Sequence, residues 1–296
     1  MVRPRPVLLV AALLGVSVLA MMAFGPVRGA EATTARTFTV DSARPALVVL
    51  PSDVAQGPRP LVLVLHGFGS SGAAIDGYLD WRSVAAKRGV VLAFPNGTVA
   101  TGNRFWNATD NCCDFTGTRV DDSTYLASLV GEIAAHTPID RTRVYVFGHS
   151  NGGFMAYRLA CDHADEFAAI VSLAGATFAD KAQCAPSKPV SVLSINGTAD
   201  YIVSIKGGPS FDPYPSTATS LRYWSSYDGC NPKALLRRTG TLRFLASGAA
   251  TTVFSYRPCP AGVNVDFWRM TGAAHTPVFD SAFGRDVLTW LLRHHR

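Results

Sequence analysis

Residues 145–153 read Tyr-Val-Phe-Gly-His-Ser-Asn-Gly-Gly, and this stretch decides which fold the rest of the chain can form. An apolar, β-branched run leads into it, and a helix-compatible run at residues 154–160 follows it. Its five central residues match G-x-S-x-G, the strand-turn-helix motif that exposes a serine on a sharp turn. Glycines two residues to either side of Ser150 let the strand and the helix approach each other. The pattern predicts a nucleophilic Ser150; the alternative is a serine that only caps the helix.

On both sides of this stretch, strand-like runs alternate with helical patterns. Four runs are predominantly apolar, which is typical of strands buried on both faces of a parallel sheet. They lie at residues 61–65, 90–94, 168–173 and 190–195. Helical patterns cover residues 78–88, 121–136, 217–227 and 282–293. The sequence therefore predicts an α/β fold, with a mostly parallel central sheet and helices on both faces. We expect residues 97–119 to form a long polar loop of the kind that is usually functional.

The first 32 residues have the pattern of an export signal. Two arginines precede an uncharged apolar stretch at residues 7–24, and small residues follow where a signal peptidase would cut. We predict a signal peptide at residues 1–32, a single catalytic domain at residues 33–296, and secretion to the extracellular space. Cleavage after Gly29 is one alternative, and retention of the apolar stretch as an N-terminal anchor is another.

The charge pattern limits the classes of partner. The formal net charge of +6 comes from scattered side chains and not from a basic cluster. Such a distribution gives no support to nucleic-acid binding and allows only weak attraction to acidic polymers. We expect no nucleic-acid partner, no stable membrane partner after signal cleavage, and a monomer.

Six cysteines behind an export signal predict disulfides, and no Cys/His spacing matches a zinc site. The pairings that loop closure favours are Cys161 with Cys184 and Cys230 with Cys259. The remaining pair, Cys112 and Cys113, is adjacent in sequence. It forms a vicinal disulfide, or one of the two crosses over to another cysteine. We expect no metal, and we interpret His294 and His295 as a solvated tail.

An activated serine needs a base, and the base needs an orienting carboxylate. Asp200 ends the turn that follows the apolar run at residues 190–195, and His275 ends a small-residue loop after the last long strand. The order Ser150, Asp200, His275 is the order that this strand-turn-helix motif requires. A turn-capping role is the alternative for Asp200, with Asp212 and Asp228 as replacement acids. A surface-loop histidine is the alternative for His275.

A developing oxyanion needs two backbone donors. One is the N–H of Asn151, directly after the nucleophile. The other is expected from the Leu-His-Gly-Phe loop after residues 61–65, where the N–H of Phe68 would point into the site. We interpret His66 as a residue that fixes this loop and not as a second base.

Three aromatic residues border the predicted catalytic loops and are candidates for a substrate-binding acyl pocket. They are Phe68, Trp106 and Tyr201. Core or rim packing is an equally good interpretation of Trp106. Trp224 and Trp268 lie within regular elements, so we expect both in the core.

Taken together, these motifs resemble a known family. The segments that carry the resemblance are Leu65-His66-Gly67, Trp106-Asn107, Val120-Asp121-Asp122, Gly148 to Gly153, Asn196 to Asp200, and the Gly272 to His275 loop. They look like the polyhydroxybutyrate depolymerase/feruloyl esterase group of α/β-hydrolases, which includes secreted acetyl xylan esterases. The resemblance covers roughly residues 45–290. It implies an α/β-hydrolase fold and a secreted serine esterase with Ser150, Asp200 and His275 as its triad, needing no cofactor.

Two features differ from this group. Many members place a tryptophan and a proline just after the histidine, whereas this chain reads His275-Thr276-Pro277-Val278. A separate substrate-binding domain, frequent in polymer depolymerases, is not expected here, which favours soluble or small esters. The substrates implied are feruloyl or acetyl esters of plant polysaccharide, or hydroxyalkanoate esters. A cell-envelope acyltransferase, a non-catalytic wall-binding protein and a secreted peptidase are the alternatives.

Overall fold

The computed structural model describes residues 36–296, apart from residues 42, 52–56, 209–212 and 234 and the side chains of residues 237–240. The strands in this part of the chain are β1 (Thr37–Val40), β2 (Ala46–Val49), β3 (Arg59–Leu65), β4 (Val91–Phe94), β5 (Thr98–Ala100), β6 (Asn103–Phe105), β7 (Ile139–His149), β8 (Ala169–Leu173), β9 (Ser191–Gly197), β10 (Leu235–Leu242), β11 (Thr251–Tyr256) and β12 (Val265–Met270). The helices are α1 (Gly72–Leu79), α2 (Arg82–Lys87), α3 (Asp122–His136), α4 (Asn151–Asp162), α5 (Thr217–Tyr227) and α6 (Ala282–Leu291), with a short 3-10 helix at Lys181–Gln183. The predicted signal peptide lies outside the described residues.

Ten of the described strands form one sheet in the order β1-β2-β4-β3-β7-β8-β9-β12-β11-β10. The six central strands, from β4 to β12, run parallel to one another. The two strands at each edge pair antiparallel. The four predominantly apolar runs form the inner strands β3, β4, β8 and β9, because a strand covered on both faces buries almost every side chain. The predicted α/β fold with a mostly parallel sheet is confirmed.

Helices cover both faces of this sheet, as predicted. The side chains of α3, α4 and α5, among them Leu129 and Trp224, form a core on one face. Those of α1, α2 and α6, among them Leu288 and Trp290, form a core on the other. Trp224 and Trp268 are both buried, which confirms their predicted place in the core. Residues 34–296 make up one compact unit.

The predicted helix at residues 78–88 is two helices in the structure. Asp80 ends α1 in the left-handed conformation, with φ +48°. The break lets the next side chain, Trp81, turn into the core, where its ring lies 4.6 Å from that of Phe147. Burial of one large aromatic side chain thus overrides continuous helical propensity.

The predicted polar loop at residues 97–119 contains regular structure. Its first part is a hairpin of β5 and β6, with Thr98 opposite Phe105. Its second part is held by main-chain bonds from Ala108 and Thr109 to the carbonyl oxygen of Cys112. The segment is therefore ordered, and it leads from β4 to α3.

The structure contains three disulfides among the described residues. They join Cys161 to Cys184, Cys230 to Cys259, and Cys112 to Cys113. Of the two alternatives for the adjacent pair, the structure therefore contains the vicinal disulfide. Within the described ranges, no helix combines the length and the apolar character needed to cross a bilayer.

His294 is not part of a solvated tail, and that prediction is wrong. The residue is 2% exposed, and the phenol of Tyr145 donates a hydrogen bond to its carbonyl oxygen. The side-chain amide of Asn264 lies 2.8 Å from its ring Nε2. Burial lowers the pKa of His294 to about 4, so the ring is neutral near pH 7. The adjacent His295 is exposed.

The buried His294 should make the protein less stable in acid. Its pKa is lowered from 6.5 to about 4 in the folded state, so between these pH values the unfolded chain binds a proton that the native state does not. The free energy of unfolding therefore falls as the pH decreases through this window. Between pH 6.5 and pH 4, the free energy of unfolding should therefore fall less for His294→Gln than for the wild type. The difference between the two decreases should be up to roughly 3 kcal/mol. Urea denaturation at stepped pH measures this; His295→Gln is the matched control, and equal pH dependence in both variants would contradict the assignment.

Candidate active site

Ser150 lies at the sharp turn between β7 and α4. Its backbone has φ +55° and ψ −122°, and its N–H donates to the carbonyl oxygen of Leu173 at 2.8 Å. The glycines around it are needed because a side chain at either position would clash with the backbone. A Cβ on Gly148 would lie 1.9 Å from the carbonyl oxygen of Gly152, and one on Gly152 would lie 2.4 Å from that of Leu65. The predicted strand-turn-helix geometry is therefore present, with a non-glycine residue at positive φ, a strained conformation typical of functional sites.

The structure brings the three predicted triad side chains together. Ser150 Oγ lies 2.8 Å from His275 Nε2, and His275 Nδ1 lies 2.8 Å from Asp200 Oδ2. The second oxygen of Asp200 accepts the N–H groups of Ile202 and Val203, each at 2.9 Å. A carboxylate held in this way accepts the Nδ1–H of the imidazole and leaves Nε2 free to accept the serine proton.

The topology explains how distant parts of the chain meet. Strands β9 and β12 are parallel neighbours, with Gly197 opposite Met270 at their carboxyl ends. Asp200 and His275 follow these two strands directly, so both side chains lie at one edge of the sheet. The replacement acid Asp228 lies elsewhere: its carboxylate accepts the N–H of Val190, which precedes β9, and burial raises its pKa. Asp212, the other replacement, lies outside the described residues.

The two predicted oxyanion donors border the same serine. Asn151 is the first residue of α4, and Phe68 follows β3 in the neighbouring loop. Neither backbone N–H has a main-chain acceptor among the described residues. A Cβ on Gly67 would lie 3.3 Å from the Cβ of Ser150, which shows how closely this loop approaches the serine. Both N–H groups are thus available to an anion beside Ser150.

A cleft of about 320 Å³ opens at Ser150. It is lined by Gly67, Phe68, Ser70, Ala74, Ile75, Tyr78, His149, Ser150, His275 and Thr276. Apolar and polar side chains share this lining, and the Ser150 hydroxyl meets the His275 ring there.

Of the three aromatic residues proposed for the pocket, the structure places only Phe68 at the cleft. Trp106 is fully buried, so the prediction of a substrate contact is corrected for this residue: its indole packs 4.9 Å from the ring of His66. Tyr201 is 86% exposed beside Asp200 and does not line the cleft. A contact of Tyr201 with substrate stays a prediction.

Two further histidines near the site are neutral for physical reasons. Burial lowers the pKa of His66 to about 4, against a smaller opposing effect of the Gly67 carbonyl. Its Nε2 accepts the N–H of Gly97 at 3.0 Å, and its Nδ1 lies 2.8 Å from the carbonyl oxygen of Gly67. These contacts agree with the interpretation of His66 as a loop-fixing residue. Burial also lowers the pKa of His149 to about 4.

Sequence reasoning missed the side chains that hold the loop of His275. His149 Nε2 lies 3.0 Å from the carbonyl oxygen of His275, and the Tyr78 hydroxyl donates to that of Pro277 at 2.8 Å. The position of His149 inside the serine motif was a usable signal; Tyr78 offered none. Phe115 was also missed, and its ring lies 5.4 Å from that of Phe68 at the cleft.

Comparison with known proteins agrees with this architecture. A profile of the prolyl oligopeptidase family matches residues 78–199, which is less than half of the chain and includes the serine turn. The solved acetyl xylan esterase from Aspergillus awamori superposes with a TM-score of 0.61 at 15% identity, covering 87% of this chain and 99% of that one. The chain has the α/β-hydrolase fold. At this identity the structural likeness establishes the fold alone.

Two curated relatives carry the names that the sequence motifs suggested. Feruloyl esterase B of Piromyces equi is 25% identical over 242 residues, which cover 78% of this chain and 42% of the relative. The poly(3-hydroxybutyrate) depolymerase of Ralstonia pickettii is 37% identical over 131 residues, covering 40% of this chain and 26% of the relative. The predicted resemblance is confirmed. The chain spans less than half the length of each of these relatives.

Proposed function

We propose that this protein is a secreted serine esterase that cleaves carboxylic esters through Ser150, His275 and Asp200. One observation carries the proposal: an unbroken line of 2.8 Å contacts from Asp200 through His275 to Ser150 Oγ, in a cleft with two unpaired backbone N–H groups beside it. A helix-capping serine would need none of these partners. Ser150 makes no side-chain cap bond to α4.

Acylation follows from this geometry. His275 Nε2 takes the proton of Ser150 Oγ while the oxygen attacks the ester carbonyl carbon. The carboxylate of Asp200 stabilises the imidazolium that forms. The N–H groups of Phe68 and Asn151 donate to the oxyanion of the tetrahedral intermediate. When the intermediate collapses, the C–O bond to the alcohol breaks and His275 returns the proton to the leaving alkoxide.

Deacylation repeats the same steps with water. His275 removes a proton from water as its oxygen attacks the acyl carbon on Ser150, and the same two N–H groups donate to the second oxyanion. Collapse breaks the bond to Ser150 Oγ, which takes back the proton from His275 and releases the carboxylic acid. The side chains of this chain supply every proton transfer.

The substrates that we propose are feruloyl or acetyl esters of plant polysaccharide, or short hydroxyalkanoate esters. The names of the relatives and the small cleft with Phe68 on its wall support this range. Three disulfides and the predicted signal peptide support an extracellular location, because such bonds persist in oxidising compartments.

The test is a substrate comparison with purified protein. The wild type should hydrolyse p-nitrophenyl acetate, methyl ferulate and 3-hydroxybutyrate oligomers with unequal kcat/KM, and folded His275→Ala should hydrolyse none of them measurably.

A prolyl p-nitroanilide is included because of the partial match to the prolyl oligopeptidase family, and a sugar acceptor because acyl transfer uses the same triad. Turnover of the anilide alone would favour a peptidase, and ester products formed only with the acceptor would favour a transferase. A folded wild type without ester turnover contradicts the proposal.

A further inference from the structure

Trp106 connects the two segments that carry the oxyanion donors. It follows β6 directly, is fully buried, and bonds to both the residue after the nucleophile and the residue that precedes the Gly67-Phe68 loop. We propose that Trp106 is a positioning residue: it sets the separation of the Phe68 and Asn151 N–H groups and thereby stabilises the transition state without touching the substrate. This inference rests on the proposed esterase function.

On one side, Trp106 binds the side chain of Asn151 through its main chain. Its N–H donates to Asn151 Oδ1 at 2.7 Å, and its carbonyl oxygen accepts from Asn151 Nδ2 at 2.8 Å. This is a two-bond pairing of a side-chain amide with a backbone, and both partners are fully buried. Because these bonds lie away from water, the first turn of α4, including the Asn151 N–H, is tied to the Trp106 backbone.

On the other side, the indole of Trp106 binds the loop of the second donor. Its Nε1–H donates to the carbonyl oxygen of His66 at 2.9 Å, two residues before Phe68. Three residues after His66, the N–H of Gly69 donates to the carbonyl oxygen of Arg104 at 2.8 Å. The Phe68 N–H is therefore bracketed by two bonds to residues 104–106. A single short segment holds both donors, although they belong to α4 and to the loop after β3.

The surroundings of Trp106 make this segment a rigid support. It is preceded by the β5–β6 hairpin, and the N–H of Cys113 donates to the carbonyl oxygen of Trp106 at 3.3 Å. The Asn151 amide also lies 3.5 Å from the sulfur of Cys112. Oxyanion stabilisation depends on donors that lie about 2.7–3.1 Å from the developing charge and are held to within about 0.5 Å of that position. A loss of this support should therefore act on the transition state more than on substrate binding.

The experiment removes one hydrogen bond and leaves the aromatic bulk. Trp106→Phe deletes the indole N–H that holds His66. Trp224→Phe is the matched control. Trp224 lies on α5, and its indole is equally buried and donates to Thr177 Oγ1 at 3.2 Å. For each protein, the concentration of active sites is determined by titrating the serine with an organophosphonate, and kcat and KM are measured on that basis. Thermal stability is measured as well. A third measurement is the preference for an ester over the thionoester with the same acyl group. A thionoester develops its charge on sulfur, which these N–H groups stabilise poorly.

Trp106→Phe should lower kcat about tenfold, since complete loss of one oxyanion donor costs about 10²–10³ and here the donor is displaced and not removed. KM should stay within about twofold, and the ester preference over the thionoester should fall with kcat. Trp224→Phe should show a similar loss of thermal stability with kcat and ester preference unchanged.

Three results overturn the inference. The first is that the wild type is active and the Trp106→Phe variant has the same kcat. The second is that Trp106→Phe loses kcat while its preference for the ester over the thionoester is unchanged. The third is an equal loss of kcat in Trp224→Phe. If Trp106→Phe does not fold, Asn151→Ala decides, because it keeps the backbone N–H and removes both bonds to Trp106; it should show the same joint fall. A folded wild type that hydrolyses no ester contradicts the esterase proposal itself, and this outcome is distinct from the other three.

Discussion

Ser150→Ala is expected to lower kcat for ester hydrolysis by about 10⁶, as removal of a triad serine does in other hydrolases. The reason is that the Oγ is the atom that forms the bond to the acyl carbon, and His275 then has no proton to take. The backbone N–H groups of Phe68 and Asn151 remain, so a weak residual rate over water is expected from them. Alanine should be accepted at this position because it has the same Cβ as serine at φ +55°.

The measurement is kcat/KM on p-nitrophenyl acetate with proteins purified in parallel, together with thermal denaturation of each. Ser128→Ala is the control, since this serine is exposed on α3 and bonds only to the carbonyl oxygen of Tyr125. It should have wild-type activity. A folded Ser150→Ala variant that retains a tenth of the activity would show that another nucleophile acts.

Asp200→Asn is expected to lower kcat by about 10⁴, the effect of the same change in a serine protease triad. The contacts of Asp200 explain why an isosteric amide should fail. Oδ1 accepts two backbone N–H groups, from Ile202 and Val203, so the amide oxygen must occupy that position. The NH₂ group then lies where Oδ2 was, 2.8 Å from His275 Nδ1, and donates to it. The ring proton is forced onto Nε2, which can no longer accept the proton of Ser150.

Asp228→Asn provides the matched comparison for this prediction. Asp228 is fully buried, and its Oδ1 accepts the N–H of Val190 before β9. Burial raises the pKa of this carboxyl, so an amide is a close replacement for it. We expect kcat to stay within about threefold of the wild type. An inactive Asp228→Asn beside an active Asp200→Asn would mean that the acid has been assigned to the wrong residue.

The parts of the site that the sequence could predict depend on local patterns and on strand order. Ser150 lies in a five-residue motif between a legible strand and a legible helix. Asp200 and His275 follow from the rule that parallel strands end at one edge of a sheet, which β9 and β12 obey. The mostly apolar run that marks β9 is a strong signal because both faces of this strand are buried.

The parts that it could not predict depend on contacts between distant segments. No local pattern shows that Trp106 is enclosed between the serine turn and the loop after β3 rather than facing substrate. The division between α1 and α2 depends on the insertion of Trp81 into the core. The burial of His294 depends on Tyr145 and Asn264, both at least 30 residues away in sequence. Each of these features is decided by tertiary packing, which propensity and periodicity do not contain.

The most direct test of the account is the mass of the covalent intermediate. The wild type is mixed with p-nitrophenyl acetate, quenched in acid after milliseconds, digested and analysed by mass spectrometry, with Ser150→Ala treated in parallel. We expect one acetyl group on the peptide that contains residues 144–158, located at Ser150, and none on that peptide in the variant. An acetyl group on another residue, with turnover preserved in Ser150→Ala, would contradict the assignment of Ser150 as the nucleophile.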